Sequence, residues 1–195
     1  MKLKPVNGLL VAILGLLYPL GAALADDTIQ ALAGEAFRTV SGDEVTLSDA
    51  NSIATVLVFV NSTCPIANGY APEINRLYKT YASKAIAFFI VHVETNLTVD
   101  SAKKHRQEFG YQCDALIDSE HRLVKLTGAT ITPEVAVISP QGELLYRGRI
   151  DDRFPSIGIQ RAKARHTELR DSLDAIIANQ PVPVARTQAV GCFIE

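Results

Sequence analysis

Thr55-Val56-Leu57-Val58-Phe59-Val60, followed by Asn61-Ser62-Thr63-Cys64-Pro65, decides how this chain is read. The first stretch is apolar at nearly every position, which suits a central parallel strand covered on both faces. Directly after it, Ser62-Thr63-Cys64-Pro65 forms a junction, and proline is tolerated in the first turn of a helix. Beyond the junction, Tyr70, Ile74, Leu77 and Tyr81 recur at helical spacing. Pro72 falls early in that stretch, so it either opens the helix or kinks it. Cys64 therefore stands at a strand-to-helix turn. Backbone N–H groups and the helix dipole there favour thiolate, the nucleophilic form of cysteine.

Working outward, Ala36–Val40 and Val45–Leu47 flank a Ser41-Gly42-Asp43-Glu44 turn and read as a hairpin. Downstream, Ala87–Val93 is a second apolar strand. Residues 98–109 read as a polar helix with Thr98 as N-cap and Gly110 as its stop. A short strand from Cys113 to Ile117 and a short helix from Ser119 to Leu126 lead to Thr132-Pro133. A hairpin follows, made of Glu134–Ile138, the turn Pro140-Gln141-Gly142, and Leu144–Arg147. A long final helix is expected with Leu169, Leu173, Ile176 and Ile177 on one face. The tail from Pro181 to Glu195, carrying Cys192, should be extended and lie on the surface. Strands alternating with helices, then a hairpin, then a helix predict an α/β three-layer sandwich: a mixed central sheet with helices on both faces. Right-handed crossovers put Cys64 and His92 at the same end of that sheet.

The N-terminal segment reads separately. Lys2 and Lys4 form a basic region, Leu9–Leu17 an apolar core, and Ala23-Leu24-Ala25 a small-residue cleavage site, so residues 1–25 are expected to be a signal peptide. The domain then runs over 26–180, with 181–195 as tail. The chain is expected to be exported, periplasmic or extracellular, with no stable membrane insertion after cleavage. The composition is that of an ordinary globular protein, with 48% hydrophobic and 21% charged residues. The formal charge of −2, without a basic stripe, gives no support for nucleic-acid binding. Neither a cofactor nor a metal is expected from motifs. Three cysteines, Cys64, Cys113 and Cys192, are too few for a disulfide-stapled scaffold. Their odd number leaves at least one thiol free or paired outside the chain.

Three groups of residues carry a resemblance: Phe59–Pro65, Thr132-Pro133-Glu134-Val135, and Gly142–Arg149 continuing to Arg153, with Gly191-Cys192 near the end. In this order they resemble the redoxin branch of the thioredoxin superfamily. That branch holds the alkyl-hydroperoxide-reductase/thiol-specific-antioxidant proteins and exported thiol–disulfide reductases. The resemblance covers residues 30 to 180 and implies a thioredoxin-like fold. It implies Cys64 as nucleophile and Pro133 as the cis-proline facing the sulfur, which exposes the Thr132 backbone to an extended substrate. Thr63, Pro65, Thr132 and Pro133 would then contact substrate, and the partner would be a protein or small-molecule thiol or disulfide, or a peroxide.

The chain departs from both family patterns. Ala67 stands where a Cys-x-x-Cys reductase has its second cysteine. Leu57 and Asn61 stand where the peroxidatic pattern has proline and threonine. A lone thiolate needs a second thiol to release a mixed disulfide, and Cys192 is the best internal candidate. Three readings follow. The first is a thiol–disulfide oxidoreductase resolved by Cys192 or an outside thiol. The second is a peroxidase passing through sulfenic acid. The third is a copper carrier using Cys64, His92 and Cys192 as soft ligands, although Asn68 stands where such relatives carry a second cysteine. Cys113 reads as a buried small hydrophobe and His92 as a satisfied structural histidine. His105, His121 and His166 read as solvated, and Asp151-Asp152-Arg153 as a turn holding itself together. Arg147 and Arg149 share a strand face, and either could stabilise a thiolate.

Overall fold

The structure is a computed structural model and describes residues 34–48 and 51–195; the expected signal peptide lies outside the described residues. Nine strands and five α-helices are found among the described residues. They are β1 (Ala36–Arg38), β2 (Glu44–Thr46), β3 (Ala54–Val60), α1 (Pro65–Gly69), α2 (Ala71–Tyr81), β4 (Ile86–His92), α3 (Val99–Glu108) and β5 (Asp114–Ile117). They continue with α4 (Arg122–Thr127), β6 (Ile131–Thr132), β7 (Glu134–Ile138), β8 (Leu144–Gly148), α5 (Glu168–Ile177) and β9 (Cys192–Phe193).

The central sheet has the order β5-β4-β3-β7-β8. Parallel pairing joins β3 to β4 and β4 to β5, whereas β7 runs antiparallel to both β3 and β8. The sheet is therefore mixed, and its middle strand is the apolar run that opens the reading. All seven β3 residues are buried. Because successive side chains of a strand point to opposite faces, β3 feeds two cores. Ala54, Val56, Val58 and Val60 meet Ile74, Leu77 and Tyr81 of α2 and Leu169 and Leu173 of α5. Leu57 and Phe59 meet Leu123 and Val124 of α4, with Phe37 and Val45 of the β1–β2 hairpin alongside. A helix layer on each side of a sheet is the thioredoxin-like sandwich expected from the sequence.

Local signals act where the chain places them. Pro72 lies in the first turn of α2, after Tyr70 has ended α1, so it opens a helix rather than kinking one. The Thr98 side chain accepts the Ser101 N–H at 3.1 Å and caps α3. Gly110 follows that helix with φ +66°, a left-handed turn that glycine adopts without steric cost.

Two expectations need correction. The last helix is short, and Ile177 is 36% exposed at its end. Ahead of it, residues 149–167 form a loop drawn in by buried carboxylates. Asp152 accepts the N–H groups of Arg165 (2.6 Å) and His166 (3.1 Å) and pairs with Arg161. Asp151 accepts the Tyr70 hydroxyl at 2.6 Å and the Arg153 N–H at 2.8 Å. Fixed contacts to the loop backbone draw it into turns in place of further helix. The second correction concerns the tail, which is extended but not merely laid on the surface. The Arg147 N–H donates to Ala185 O and the Thr187 N–H to Arg147 O, both at 3.0 Å, so the tail covers β8, the edge strand of the sheet. It then crosses to β6 and pairs with it as β9.

Candidate active site

Cys64 is the residue before α1, in extended conformation (φ −77°, ψ 111°), with Pro65 beginning the helix. The loop that delivers it is held from several sides. The Cys64 N–H donates to Asn61 O at 3.0 Å, and the Asn61 side chain accepts both the N–H (2.9 Å) and the hydroxyl (2.7 Å) of Thr63. Asn68 returns from α1 to donate to Ser62 O at 2.9 Å, while the Ser62 N–H donates to Glu94 at 2.6 Å. Asn61 thus performs local turn bonding at the position where the peroxidatic pattern carries threonine.

Opposite the sulfur lies Thr132. The peptide bond Thr132-Pro133 is cis, and the Cys64 thiol donates to Thr132 O at 3.1 Å. The third element is the tail, because β9 pairs with β6 in the register Ile131↔Phe193 and Thr132↔Cys192. Sequence separation hides this meeting of three segments; pairing around the β6 backbone creates it. Gly191 permits the approach, since a Cβ on it would stand 1.9 Å from Thr132 O.

The two thiols are electrostatically unlike. Burial pushes the Cys64 thiol up. Hydrogen bonds from the Cys192 thiol, the Ala67 N–H, the Thr132 side chain and the Cys192 N–H outweigh it, so the Cys64 pKa falls below its ordinary value. Cys192 is pushed up to about 11 by burial and by its contact with the Cys64 sulfur. The carbonyl contact to Thr132 belongs to the protonated thiol. Cys64, Cys113 and Cys192 form no disulfide with one another in this structure. Cys113 is buried as expected, and burial pushes its thiol up to about 12, which removes it from thiolate chemistry at neutral pH.

Thr63 and Pro65 are exposed, and Thr132 and Pro133 are buried, so the expected contact residues converge from both sides of the sulfur. Two grooves flank Cys192. One of about 640 Å³ includes Asn61, Ser62, Thr63, Glu94 and Phe193. The other, of about 520 Å³, is more apolar and includes Pro65, Ile66, Phe154, Ile157 and Ile159. Ile157 and Ile159 are 75% and 57% exposed on the loop before α5, and sequence reading did not single them out.

Behind the Cys64 loop lies a buried polar group. Val60 pairs with His92, which puts Cys64 and His92 at one end of the sheet. His92 is fully buried, its Nδ1 lies 3.7 Å from Glu94, and neither ring nitrogen has a hydrogen-bond partner. The expectation of a satisfied histidine is therefore corrected. Parallel pairing closes the strand beneath α3, where the ring meets Glu94 and the His105 ring but finds no hydrogen-bond partner. His105 is not solvated either. It is 5% exposed, bonds Asn68 at 2.9 Å, and stacks edge-on to His92 with centroids 5.0 Å apart. The polar run 98–109 carries its histidine on the inner face, a placement that periodicity weakened by surrounding charges does not reveal. Burial, and then the nearby His92, lower the His105 pKa to about 4. Glu94 lies at about 2: burial raises it, but the adjacent His92 ring and the bond from the Ser62 N–H prevail. His121 is half-buried and bonds Val93 O at 2.6 Å, whereas His166 is exposed as expected.

The two arginines do not serve the thiolate. Arg147 pairs with Glu134 at 3.4 Å and bonds the Gly128 carbonyl, and Arg149 holds Glu168 at 3.0 Å. Among the described residues no group of three or more His, Cys, Asp or Glu side chains is arranged to hold a metal ion.

Comparison with known proteins gives this geometry a family. The model of the AhpC/TSA family matches residues 27–147. No curated protein matches the chain. Among solved structures, an uncharacterized conserved protein from Geobacillus kaustophilus shares 29% identity at a TM-score of 0.71, covering 82% of this chain and 87% of its own. A hypothetical protein from Sinorhizobium meliloti 1021 shares 22% identity at a TM-score of 0.71, covering 84% and 91%. A secreted Mycobacterium tuberculosis disulfide oxidoreductase shares the fold at 16% identity and a TM-score of 0.52, covering 79% and 98%. With the family match spanning the strand, the Cys64 junction and the cis-proline, this chain belongs to the AhpC/TSA family and is a thiol oxidoreductase built on a thioredoxin-like redoxin domain.

Proposed function

We propose that the chain is an exported thiol–disulfide oxidoreductase in which Cys64 attacks and Cys192 resolves. One observation carries the reading: Cys192 pairs with Thr132 in the β6–β9 register while the Cys64 thiol donates to Thr132 O at 3.1 Å, so nucleophile and resolving thiol share one site although Ala67 replaces the usual second cysteine. The Cys64 thiolate attacks one sulfur of a substrate disulfide. A Cys64–substrate disulfide forms, and the other substrate sulfur leaves as thiolate and takes a proton. Cys192 then gives up its proton and attacks the Cys64 sulfur, which closes a Cys64–Cys192 disulfide and releases the second substrate thiol. Two electrons pass from the protein to the substrate, and an external dithiol returns them. The raised pKa of Cys192 suits this order, because a protonated thiol neither competes for the first attack nor repels the thiolate.

The test is reduction of a model disulfide followed by mass-spectrometric disulfide mapping. Cys64→Ser should abolish turnover. Cys192→Ser should still accept one substrate half as a mixed disulfide and then stall. Turnover retained in Cys64→Ser would end the proposal.

Family membership favours a second reading, peroxide reduction. There the Cys64 thiolate takes the terminal oxygen of a hydroperoxide, giving sulfenic acid and an alcohol, and Cys192 condenses with it to the same disulfide with loss of water. Asn61, turned inward onto Thr63, leaves this site without the usual threonine. Trapping a sulfenate in Cys192→Ser after a peroxide pulse, at a rate faster than disulfide attack, would favour this reading over exchange.

Export rests on the N-terminal pattern, and among the described residues no helix is long and apolar enough to cross a membrane. The mass of the protein recovered from the producing cell should correspond to a chain beginning at Asp26; an intact Met1 terminus would contradict it.

A further inference from the structure

We propose that the C-terminal strand is a built-in substrate mimic: residues 188–195 occupy the strand-pairing position beside Thr132, and an outside disulfide reaches Cys64 only when the tail leaves. This rests on the thiol–disulfide reading and says what gates that site and what it selects.

Three observations meet here. The register Thr132↔Cys192 sets a cysteine in an extended strand directly opposite the residue before the cis-proline, next to Cys64. The nucleophile is covered, with Cys64 1% exposed while Cys192 is only half-buried, so the tail lies over the sulfur that must react. The strand pairing is short: a two-residue ladder joined by Ile194 N–H to Thr130 O at 3.0 Å and by the Thr132 hydroxyl to Cys192 O at 3.4 Å, with Phe193 76% exposed. Tight docking would bury that ring; a displaceable strand leaves it in water. When the tail leaves, Ser62, Thr63 and Glu94 on one side and Pro65, Ile66 and Phe154 on the other remain to take side chains of a longer partner.

The mimic also predicts selectivity. Because Thr132 O stands where a Cβ on Gly191 would be, a partner in the same register needs glycine immediately before its reactive cysteine. The residue after that cysteine is free to be large. The preferred partner is an extended polypeptide disulfide of the form Gly-Cys-aromatic.

The test uses full-length chains carrying Cys192→Ser, alone or combined with Gly191→Ala or Gly191→Val, which force the tail off Thr132. The rate of mixed-disulfide formation at Cys64 is measured with two probes: a small aromatic disulfide, and the peptide Gln-Ala-Val-Gly-Cys-Phe-Ile-Glu activated at its cysteine. The glycine variants should react with the peptide roughly tenfold faster than Cys192→Ser alone, the equivalent of one or two net hydrogen bonds. The same peptide carrying serine for cysteine should protect Cys64 in those variants, and its version with valine for glycine should not. Equal peptide rates with and without the glycine substitution would overturn the mimic while leaving the exchange reading intact, provided the small disulfide reacts. Equal protection by the glycine and valine peptides would overturn the selectivity. If Cys64 reacts with neither probe, the exchange reading falls and the mimic with it.

Discussion

Cys64 owes its lowered pKa to its immediate neighbours more than to its type. An unassisted buried thiol is pushed up, as Cys113 is, to about 12. Cys64 is also buried, yet donors from Cys192, Ala67 and Thr132 reverse the sign. The alkylation rate of Cys64 should therefore rise with pH through a midpoint below that of an ordinary cysteine. Cys192→Ala should move this midpoint to more alkaline pH, because it removes the first of the stabilising donors. An unmoved midpoint, read by iodoacetamide labelling and mass spectrometry, would show that Cys192 does not hold the thiolate. Cys113→Ala should leave that profile and turnover unchanged. Both positions are cysteines in apolar surroundings, and only Cys64 follows a strand directly into Pro65, so the distinction between them was legible in the sequence. What tunes Cys64 was not: its partners come from positions 67, 132 and 192, and no local pattern says that they converge.

At the scale of elements, α5 shows how little helix the fold needs when its buried residues are well placed. Leu169 and Leu173 are fully buried one turn apart and join the helix to the Val56–Val60 side of the sheet. Leu169→Ala should cost about 2–5 kcal/mol, the range for emptying such a site, measured as a fall in the denaturant midpoint with little change in slope. A loss under about 1 kcal/mol would mean that the helix is not anchored there. The sequence pattern named these two leucines and the reach of the helix to Ile177 correctly, but it put Ile177 on the buried face where the structure lets that side chain face water. Hydrophobic spacing reports a candidate face and does not report whether a partner surface continues beneath it. The strand β9 is the opposite case. Two residues carry no usable period, and their pairing depends on a backbone that only the assembled sheet presents.

For the molecule as a whole, the buried His92–Glu94–His105 group ties stability to acid. His105 has a folded pKa of about 4, below its ordinary value of about 6.5. Its neutral ring is the form that folding favours, so its contribution is complete above about pH 6.5 and is lost as pH falls through 4. Glu94, at about 2 when folded, contributes above its ordinary value of about 4.3 and loses that contribution as pH falls through 2. The midpoint of thermal unfolding should therefore begin to fall below about pH 6.5, ahead of general carboxylate protonation. His105→Gln should flatten the part between about pH 6.5 and 4. An identical slope in that variant would place the acid sensitivity elsewhere.

The sequence by itself determined the sandwich and the place of Cys64 at its strand-to-helix junction. Both rest on local signals: an unbroken apolar strand, a cysteine and proline at its end, helical spacing afterwards, and a Thr-Pro before the next strand. Such signals act within a few residues, through propensity and period, and survive being read one segment at a time. The tertiary structure alone decided that Cys192 lies against Cys64, that Gly191 is needed beside Thr132, that His92 and His105 are buried together, and that Arg147 and Arg149 turn to carboxylates. Each of these is a meeting of segments far apart in the chain. Sheet pairing and burial bring them within contact distance, where hydrogen bonding and desolvation fix which group keeps its proton.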